Sequence, residues 1–302
     1  MGSKTNGHSM ATLIAGPTAS GKTALALKLA AASDAAIVNA DSMQIYAILN
    51  SLTARPTADE LDSASHHLFG HVHPSELYST GRWLRDVETL LTGPLAERPV
   101  IIVGGTGLYF RALEGGLSEM PSVPDEIRQY WRGRMAEEGA EALYNELVRR
   151  DPDAARAIGR SDGQRILRGI EIFETTGKPL SQHQKKKGKS LVDPSTTRRI
   201  VIRAERDWLR ERIAHRFAAM MQKGAVDEVR ELLALGLDPA LPAMKAIGVR
   251  QIGMMLDGQM TEEDAIRHSV DATRQYAKRQ TTWFRNQLGS DWTAHDPNDT
   301  QS

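Results

Sequence analysis

Cysteine is absent from all 302 residues, which removes disulfides, thiolate metal sites and cysteine nucleophiles together. No sign of charge is in excess, since 38 Lys and Arg face 38 Asp and Glu. A nucleic-acid partner would therefore have to be held by local basic patches, because the whole molecule supplies no attracting field. Nor does any apolar run approach the roughly eighteen residues of a membrane span, so no membrane partner is expected. The first ten residues are polar and carry no signal-peptide core, and Met1 to Ser3 read as a loose end. A reducing, cytoplasmic setting fits these absences. What remains is an ordinary globular composition, 40% apolar and 25% charged, long enough for one large or two moderate domains.

The feature around which the chain is organised is Gly16-Pro17-Thr18-Ala19-Ser20-Gly21-Lys22-Thr23, a full match to G-x-x-x-x-G-K-[ST]. Ala11–Ala15 before it is a short apolar run, and Ala24–Ala31 after it is rich in helix formers, so the context is strand, glycine loop, helix. Gly16 and Gly21 permit close backbone approach. Loop amides and the helix N-terminus then favour an anion. Lys22 adds a mobile cation, and the Thr23 hydroxyl suits Mg2+, an ion that keeps few protein ligands and several waters. The loop specifies phosphate or diphosphate and does not by itself specify a nucleotide.

Three further stretches belong to the same rim. Ala35–Ala40 reads as a second strand that delivers Asp41 and Ser42 to its carboxyl end, where open α/β sheets place their ligands. Pro99–Val103 is a third apolar strand and ends in Gly104-Gly105-Thr106-Gly107, a turn to which something approaches closely. It carries no aspartate, although an ATPase often places a magnesium-binding aspartate after such a strand. Thr197–Arg203 reads as an alternating strand that resumes the sheet. His66, His67, His71 and His73 fit no common zinc spacing and read as polar loop or as core hydrogen bonding.

The expected fold class is α/β, a P-loop NTPase-like parallel sheet flanked by helices, with a helical insertion and a helical C-terminal region. The core domain is expected over 10–117 and 196–290, the insertion over 118–195, and flexible ends over 1–9 and 291–302. Within the insertion, Asp125–Arg150 and Asp162–Thr176 are helical in pattern, and Lys185-Lys186-Lys187-Gly188-Lys189 reads as a basic exposed loop. Trp208–Leu235 is one long amphipathic region with Arg212 and Arg216 on one face. Asp264–Leu288 is one helix with Arg274, Lys278 and Arg285 nearly in line and Tyr276, Trp283 and Phe284 interleaved, a pattern suited to RNA phosphates and unpaired bases. Residues alone thus point to group transfer from a phosphorylated donor to RNA. A P-loop small-molecule or nucleotide kinase is the alternative, and a non-catalytic RNA-binding regulator is a third class.

Several stretches, in order, resemble the bacterial tRNA dimethylallyltransferases, the isopentenyl-tRNA transferase family. They are Gly16–Thr23, Asp41–Tyr46, Thr53–Pro56, His66–Leu68, Gly104–Tyr109, Asp162–Arg165, Ala246–Gly248 and Thr273–Gln280. Ala47, Ser161 and Val249 depart from residues usual in that family. The resemblance implies transfer of a dimethylallyl group from dimethylallyl diphosphate to the N6 amine of the adenosine just 3′ of the tRNA anticodon, with Mg2+ as cofactor and a monomeric enzyme. Asp41 would be the general base, Thr106 would bond the departing bridging oxygen, and Lys22 would neutralise the leaving group. Diphosphate would be held by Gly16, Thr18, Ala19, Ser20, Gly21, Lys22 and Thr23, with Arg212 or Arg216 adding a cation. The tRNA anticodon stem-loop would meet Asp41, Ser42, Met43, Gln44 and Thr106, then Arg128, Ser161, Asp162, Gly163, Gln164 and Arg165. Lys245, Ile247, Gly248, Arg250, Arg274, Lys278, Arg279, Gln280, Trp283 and Arg285 would complete that grip. Such a reaction requires an open passage joining the phosphate loop to Asp41 and to the basic C-terminal surface.

Overall fold

The computed structural model describes residues 7–118, 120–186 and 188–298. Two compact units emerge, one running to Glu114 and resuming at Ser190, the other spanning Gly115–Lys189. The first begins β1 (Ala11–Ala15), α1 (Lys22–Ser33), β2 (Ala36–Asn39), α2 (Ala58–Ser63), β3 (His66–His67), α3 (Thr80–Thr92), β4 (Val100–Gly104) and α4 (Gly107–Leu113). The second unit holds α5 (Asp125–Arg150), α6 (Pro152–Ala157), α7 (Gly163–Thr176) and α8 (Leu180–His183). Returning to the first unit, the chain forms β5 (Arg198–Ile202), α9 (Arg206–Gln222), α10 (Ala225–Ala234), α11 (Val249–Leu256), α12 (Glu262–Gln287) and β6 (Thr293–His295).

The six strands form one parallel sheet in the order β3-β2-β4-β1-β5-β6. Ala11 pairs with Val100 and Ala15 with Gly104, so β1 and β4 end level on the carboxyl rim. Continuous apolar runs in the inner strands follow from burial on both faces. Leu13, Val38 and Ile102 pack with Trp83 of α3 and Phe110 of α4 on one side, and Ile14, Ile37 and Ile101 pack with Ala26 and Ala30 of α1 on the other. A separate cluster joins Ile213 and Phe217 of α9 to Val229 of α10, Ile252 of α11 and Ala277 of α12. In the second unit, Trp131, Leu143 and Leu147 of α5 pack on Ile166 and Ile170 of α7.

Five local expectations change. The segment after Gly289 is ordered through Asn298: β6 pairs in parallel with β5, and Trp292 is buried against Phe110. At the other end His8 bridges to Val192, with its amide donating to the Leu191 carbonyl at 2.9 Å. Met1 to Asn6, Lys187 and the last four residues lie outside the described residues. The 208–235 region is two helices, because Gly224 turns left-handed at φ 104° and starts α10. β5 is buried from Arg199 to Ile202, with Arg199 held by Glu114 at 2.6 Å and Asp291 at 3.0 Å, so its polar residue faces carboxylates where alternation implied solvent. His66 and His67 form the edge strand β3. Within α5, Gly139 (φ 81°) interrupts the helix.

Candidate active site

Three strand ends build the site. The loop after β1 turns at Gly21 with φ 87°, and Ala19 is also left-handed at φ 64°, an uncommon conformation for a residue with a side chain. It is held from outside by two other helices. Gln280 of α12 accepts the Thr18 amide through Oε1 at 2.9 Å and donates through Nε2 to the Gly105 carbonyl at 2.9 Å. Arg212 of α9 donates through Nε to the Ala19 carbonyl at 3.1 Å, and Arg216 donates to the Thr18 hydroxyl. Gln280 is buried, so both ends of its amide are committed to locking the loop to the β4 turn.

Asp41 follows β2. Asn39 accepts the Asp41 amide at 2.8 Å, donates to the Asp41 carbonyl at 2.9 Å and is itself capped by Trp83, whose Nε1 donates to the Asn39 carbonyl at 2.8 Å. The Asp41 carboxylate accepts the Met43 amide on Oδ1 at 3.0 Å. Close approach explains the glycines opposite: a Cβ on Gly105 would sit 2.2 Å from Gln280 Nε2 and 3.2 Å from Asp41 Oδ2. Thr106 accepts the Ser42 amide at 2.9 Å and donates to the Ser42 hydroxyl at 3.2 Å, tying the β4 turn to the β2 turn.

A cavity of about 320 Å³ joins these parts. Thr18, Asp41, Ser42, Arg216, Thr273 and Tyr276 line it, as do Leu52, Ile213, Phe217 and Met220, and Lys245, Ala246, Ile247 and Arg279 complete it. The cavity thus runs from Thr18 of the phosphate loop to Asp41, to Arg279 of α12 and to Lys245 of the turn before α11, whereas the expected stripe of Arg274, Lys278 and Arg285 does not line it. Its electrostatics are tense. Burial pushes Lys22 down to about 8, with Asp41 opposing the fall and Arg216 adding to it. Arg216 falls to about 10 for the same leading reason, opposed by Asp41 and furthered by Arg212. Burial and then Asp41 push the Tyr276 hydroxyl above the usual phenol range, so it stays a donor. An anion placed at the loop would relieve the crowding of Lys22 and Arg216.

The donor set suits a magnesium–diphosphate pair. The Ser20 hydroxyl is fully buried with no hydrogen-bond partner, and Thr23 follows Lys22 at the start of α1. Hard oxygen ligands in so small a number match an ion that takes the rest from substrate phosphates and water.

Other expected residues fall elsewhere. Gly248 is buried at φ 103°, and Arg250 is exposed at the start of α11. Gln44 donates to the Thr53 and Ala54 carbonyls at 3.0 and 2.8 Å, leaving only its Oε1 for another partner. Trp283 lies over Gly107, where a Cβ would meet the ring at 2.2 Å. Arg274, Lys278 and Arg285 line a second groove of about 720 Å³ with Arg206 and Arg210 of α9, apart from Asp41. In the second unit, Asp162 caps α7 by accepting the Arg165 amide at 3.2 Å, and Arg128 pairs with Asp125 at 3.4 Å. Ser161, Gln164 and Arg165 are exposed there, with Gly163 starting the helix. Tyr276, one of the expected aromatics, lines the cavity, and Leu52, Thr53, Phe217, Met220 and Thr273 complete it without having been singled out as site residues from sequence. Apolar residues at helical period carry no mark that separates cavity wall from core.

Comparison with known proteins agrees along the chain. A family model described as IPP transferase matches residues 44–287, and one described as isopentenyl transferase matches residues 9–69. A tRNA dimethylallyltransferase of Chelativorans sp. is 56% identical over 283 residues, 93% of this chain and 97% of the relative. One from Agrobacterium fabrum is 53% identical over 288 residues, 95% of this chain and 97% of the relative. Among solved structures, the tRNA isopentenylpyrophosphate transferase of Bacillus halodurans is similar with a TM-score of 0.66 at 33% identity, covering 96% of this chain and 90% of that one. A eukaryotic dimethylallyltransferase acting on tRNA is similar with a TM-score of 0.82 at 25% identity, covering 96% of this chain and 74% of that one.

Proposed function

Because the chain belongs to the IPP transferase family, we propose that it moves a dimethylallyl group from dimethylallyl diphosphate to the N6 amine of the tRNA adenosine just 3′ of the anticodon. The observation that carries this reading is the single cavity lined at once by Thr18 and Arg216 of the diphosphate end, by Asp41, and by Lys245 and Arg279.

The chemistry follows from the parts. The bond between the allylic carbon and the bridging oxygen breaks, and diphosphate leaves with the electron pair. A new bond joins that carbon to N6, and the amine loses a proton. Lys22, the loop amides and Arg216 stabilise charge growing on the leaving oxygens. Thr106 would turn its one O–H from the Ser42 hydroxyl to the bridging oxygen while still accepting the Ser42 amide. Asp41 receives the amine proton on Oδ2, because Oδ1 already accepts the Met43 amide. Mg2+, held by the Thr23 hydroxyl and substrate oxygens, supplies further charge neutralisation when bound.

An adenine amine is a weak nucleophile, so alignment matters as much as the base. The purine must leave its stack to reach Asp41, as in other base-modifying enzymes. Lys245 and Arg279, both exposed, hold the phosphates around it, and Tyr276 and Phe217 offer rings to its faces. Arg128 and the Ser161–Arg165 segment extend the grip on the anticodon stem-loop, and a monomer working in the cytoplasm suffices. No described helix is long and apolar enough to cross a membrane.

Mass analysis of nucleosides tests the reading. Unmodified tRNA incubated with the protein, Mg2+ and dimethylallyl diphosphate should yield prenylated adenosine in the anticodon loop and free diphosphate. Diphosphate-independent RNA binding with no new nucleoside, or phosphoryl transfer from ATP in its place, would reject it.

A further inference from the structure

Thr53-Ala54-Arg55-Pro56 stands out in the sequence, yet none of the roles above uses it. Its loop borders the cavity through Leu52 and Thr53. What fixes that loop lies behind it, on a helix that contributes nothing to the cavity wall. Glu228, in the first turn of α10, accepts the Ser51 amide on Oε1 at 2.6 Å and the Leu52 amide on Oε2 at 3.0 Å. Both carboxylate oxygens are thus spent on consecutive backbone donors, a strong charge-assisted pair. The Ser51 hydroxyl adds a bond to the Lys223 carbonyl at 2.8 Å.

Held this way, Leu52 packs against the turn at Gly248. Its side chain fills the space a Cβ on Gly248 would need, at 2.7 Å, and Phe217 closes the same spot at 3.3 Å. Gly248 is left-handed at φ 103° and belongs to the turn that carries Lys245 to Ile247 into the cavity. Leu52, Gly248 and Phe217 therefore form one packed wall beside the turn that carries Lys245.

We propose that Glu228 is a positioning residue for the purine: it sets the Leu52–Thr53 wall against which the extruded adenine is aligned toward Asp41. This rests on the transfer reading above. Glu228 touches no substrate and acts only through Leu52 and Thr53.

The two substrates separate this role from general support of the fold. In Glu228→Ala, kcat/KM for tRNA should fall by about thirtyfold as alignment is lost, while KM and Kd for dimethylallyl diphosphate stay within about twofold. Glu228→Gln, which keeps one acceptor for one of the two amides, should fall between Ala and wild type. In a Leu52→Ala background, the further cost of Glu228→Ala should shrink to about threefold or less, because the two act as one unit. Full additivity in that background overturns the proposal. So does an equal loss for both substrates that tracks a lowered melting temperature, or a loss confined to the prenyl donor. Wild-type protein that never prenylates tRNA would sink the underlying reaction instead, whatever the variants do.

Discussion

Lys22 gives the most direct test of how the diphosphate loop works, because its proton is weakly held before substrate arrives. The side chain is only 8% exposed, and burial lowers its pKa from 10.5 to about 8, a difference worth roughly 3 kcal/mol against the ammonium form. A bound diphosphate restores the charge, so binding must take up a proton wherever the free protein has lost it. Dimethylallyl diphosphate completes its own ionisation near pH 6, as phosphate esters do at about that value, and adds no competing change above neutrality. The apparent affinity should then be roughly thirtyfold weaker at pH 9.5 than at pH 7. Titration calorimetry without tRNA, in two buffers of different ionisation enthalpy, measures both the affinity and the proton uptake. Lys22→Met should bind weakly at every pH with no uptake. A flat affinity to pH 9.5 in the wild type, or uptake that survives in Lys22→Met, would refute the assignment. Stability in the absence of ligand runs the other way. The folded pKa lies below the unfolded one, so the unfolded chain binds more protons between about 8 and 10.5. The cost of burying the charge is complete below that window and is relieved as pH rises through it, by up to roughly 3 kcal/mol.

Two further substitutions probe the rim. Asp41→Asn keeps an oxygen for the Met43 amide but removes the base, so single-turnover prenylation should slow by about 10²–10⁴-fold with tRNA affinity nearly unchanged; an unaltered rate would exclude Asp41 as base. Gln280→Ala leaves the Thr18 amide and the Gly105 carbonyl without their partners, which should cost about 2–4 kcal/mol of stability and weaken dimethylallyl diphosphate binding; thermal denaturation with and without that ligand measures both, and an unchanged melting curve would deny Gln280 its locking role.

The legible parts of this fold are those governed by local chemistry. Ala11–Ser33 could be read as strand, glycine loop and helix because each piece carries its own signal, and Asp41 could be placed on the same rim once Ala36–Asn39 was recognised as a strand. β6 was not legible. Thr293, Ala294 and His295 form an edge strand through backbone bonds to β5, and the anchor that makes this worthwhile, Trp292 on Phe110, depends on a distant helix. The Gly224 break was hidden because periodicity continues across it, whereas the left-handed turn is visible only in the backbone. Sequence spacing put Arg212 and Arg216 on one face without choosing between them. Packing separates them: Arg216 lines the cavity, while Arg212 is exposed, lies 4.7 Å over the Trp208 ring and braces the loop through the Ala19 carbonyl. Gln280 sits in a run of basic residues that reads as an RNA surface, yet its period turns it inward to the loop.

In the proposed transfer, the same geometry lets a loop usually associated with ATP serve carbon–oxygen cleavage. A phosphoryl-transfer enzyme commonly keeps an acid at the end of a neighbouring strand to hold a metal. Here that strand, β4, ends in Gly104 and Gly105, and the acid stands one strand further out, after β2. A side chain on Gly105 would collide with Gln280 and press on Asp41, so the missing aspartate and the placed one are linked by sterics. Vacating β4 lets α12 reach the loop and lets Asp41 face the cavity. Among the described residues, none donates a hydrogen bond to Asp41 Oδ2. A carboxylate chelating a metal through both oxygens would have neither to spare for an amine. One held by its own turn through Oδ1 has the second available, on the side of the cavity where Tyr276 remains protonated and Lys245 and Arg279 open toward RNA. Restoring an acid at this strand end, as in Gly105→Asp, should therefore abolish prenyl transfer by expelling Gln280, without conferring ATP hydrolysis. Gain of ATPase activity in that variant would show that the strand end, and not the position of Asp41, decides the chemistry.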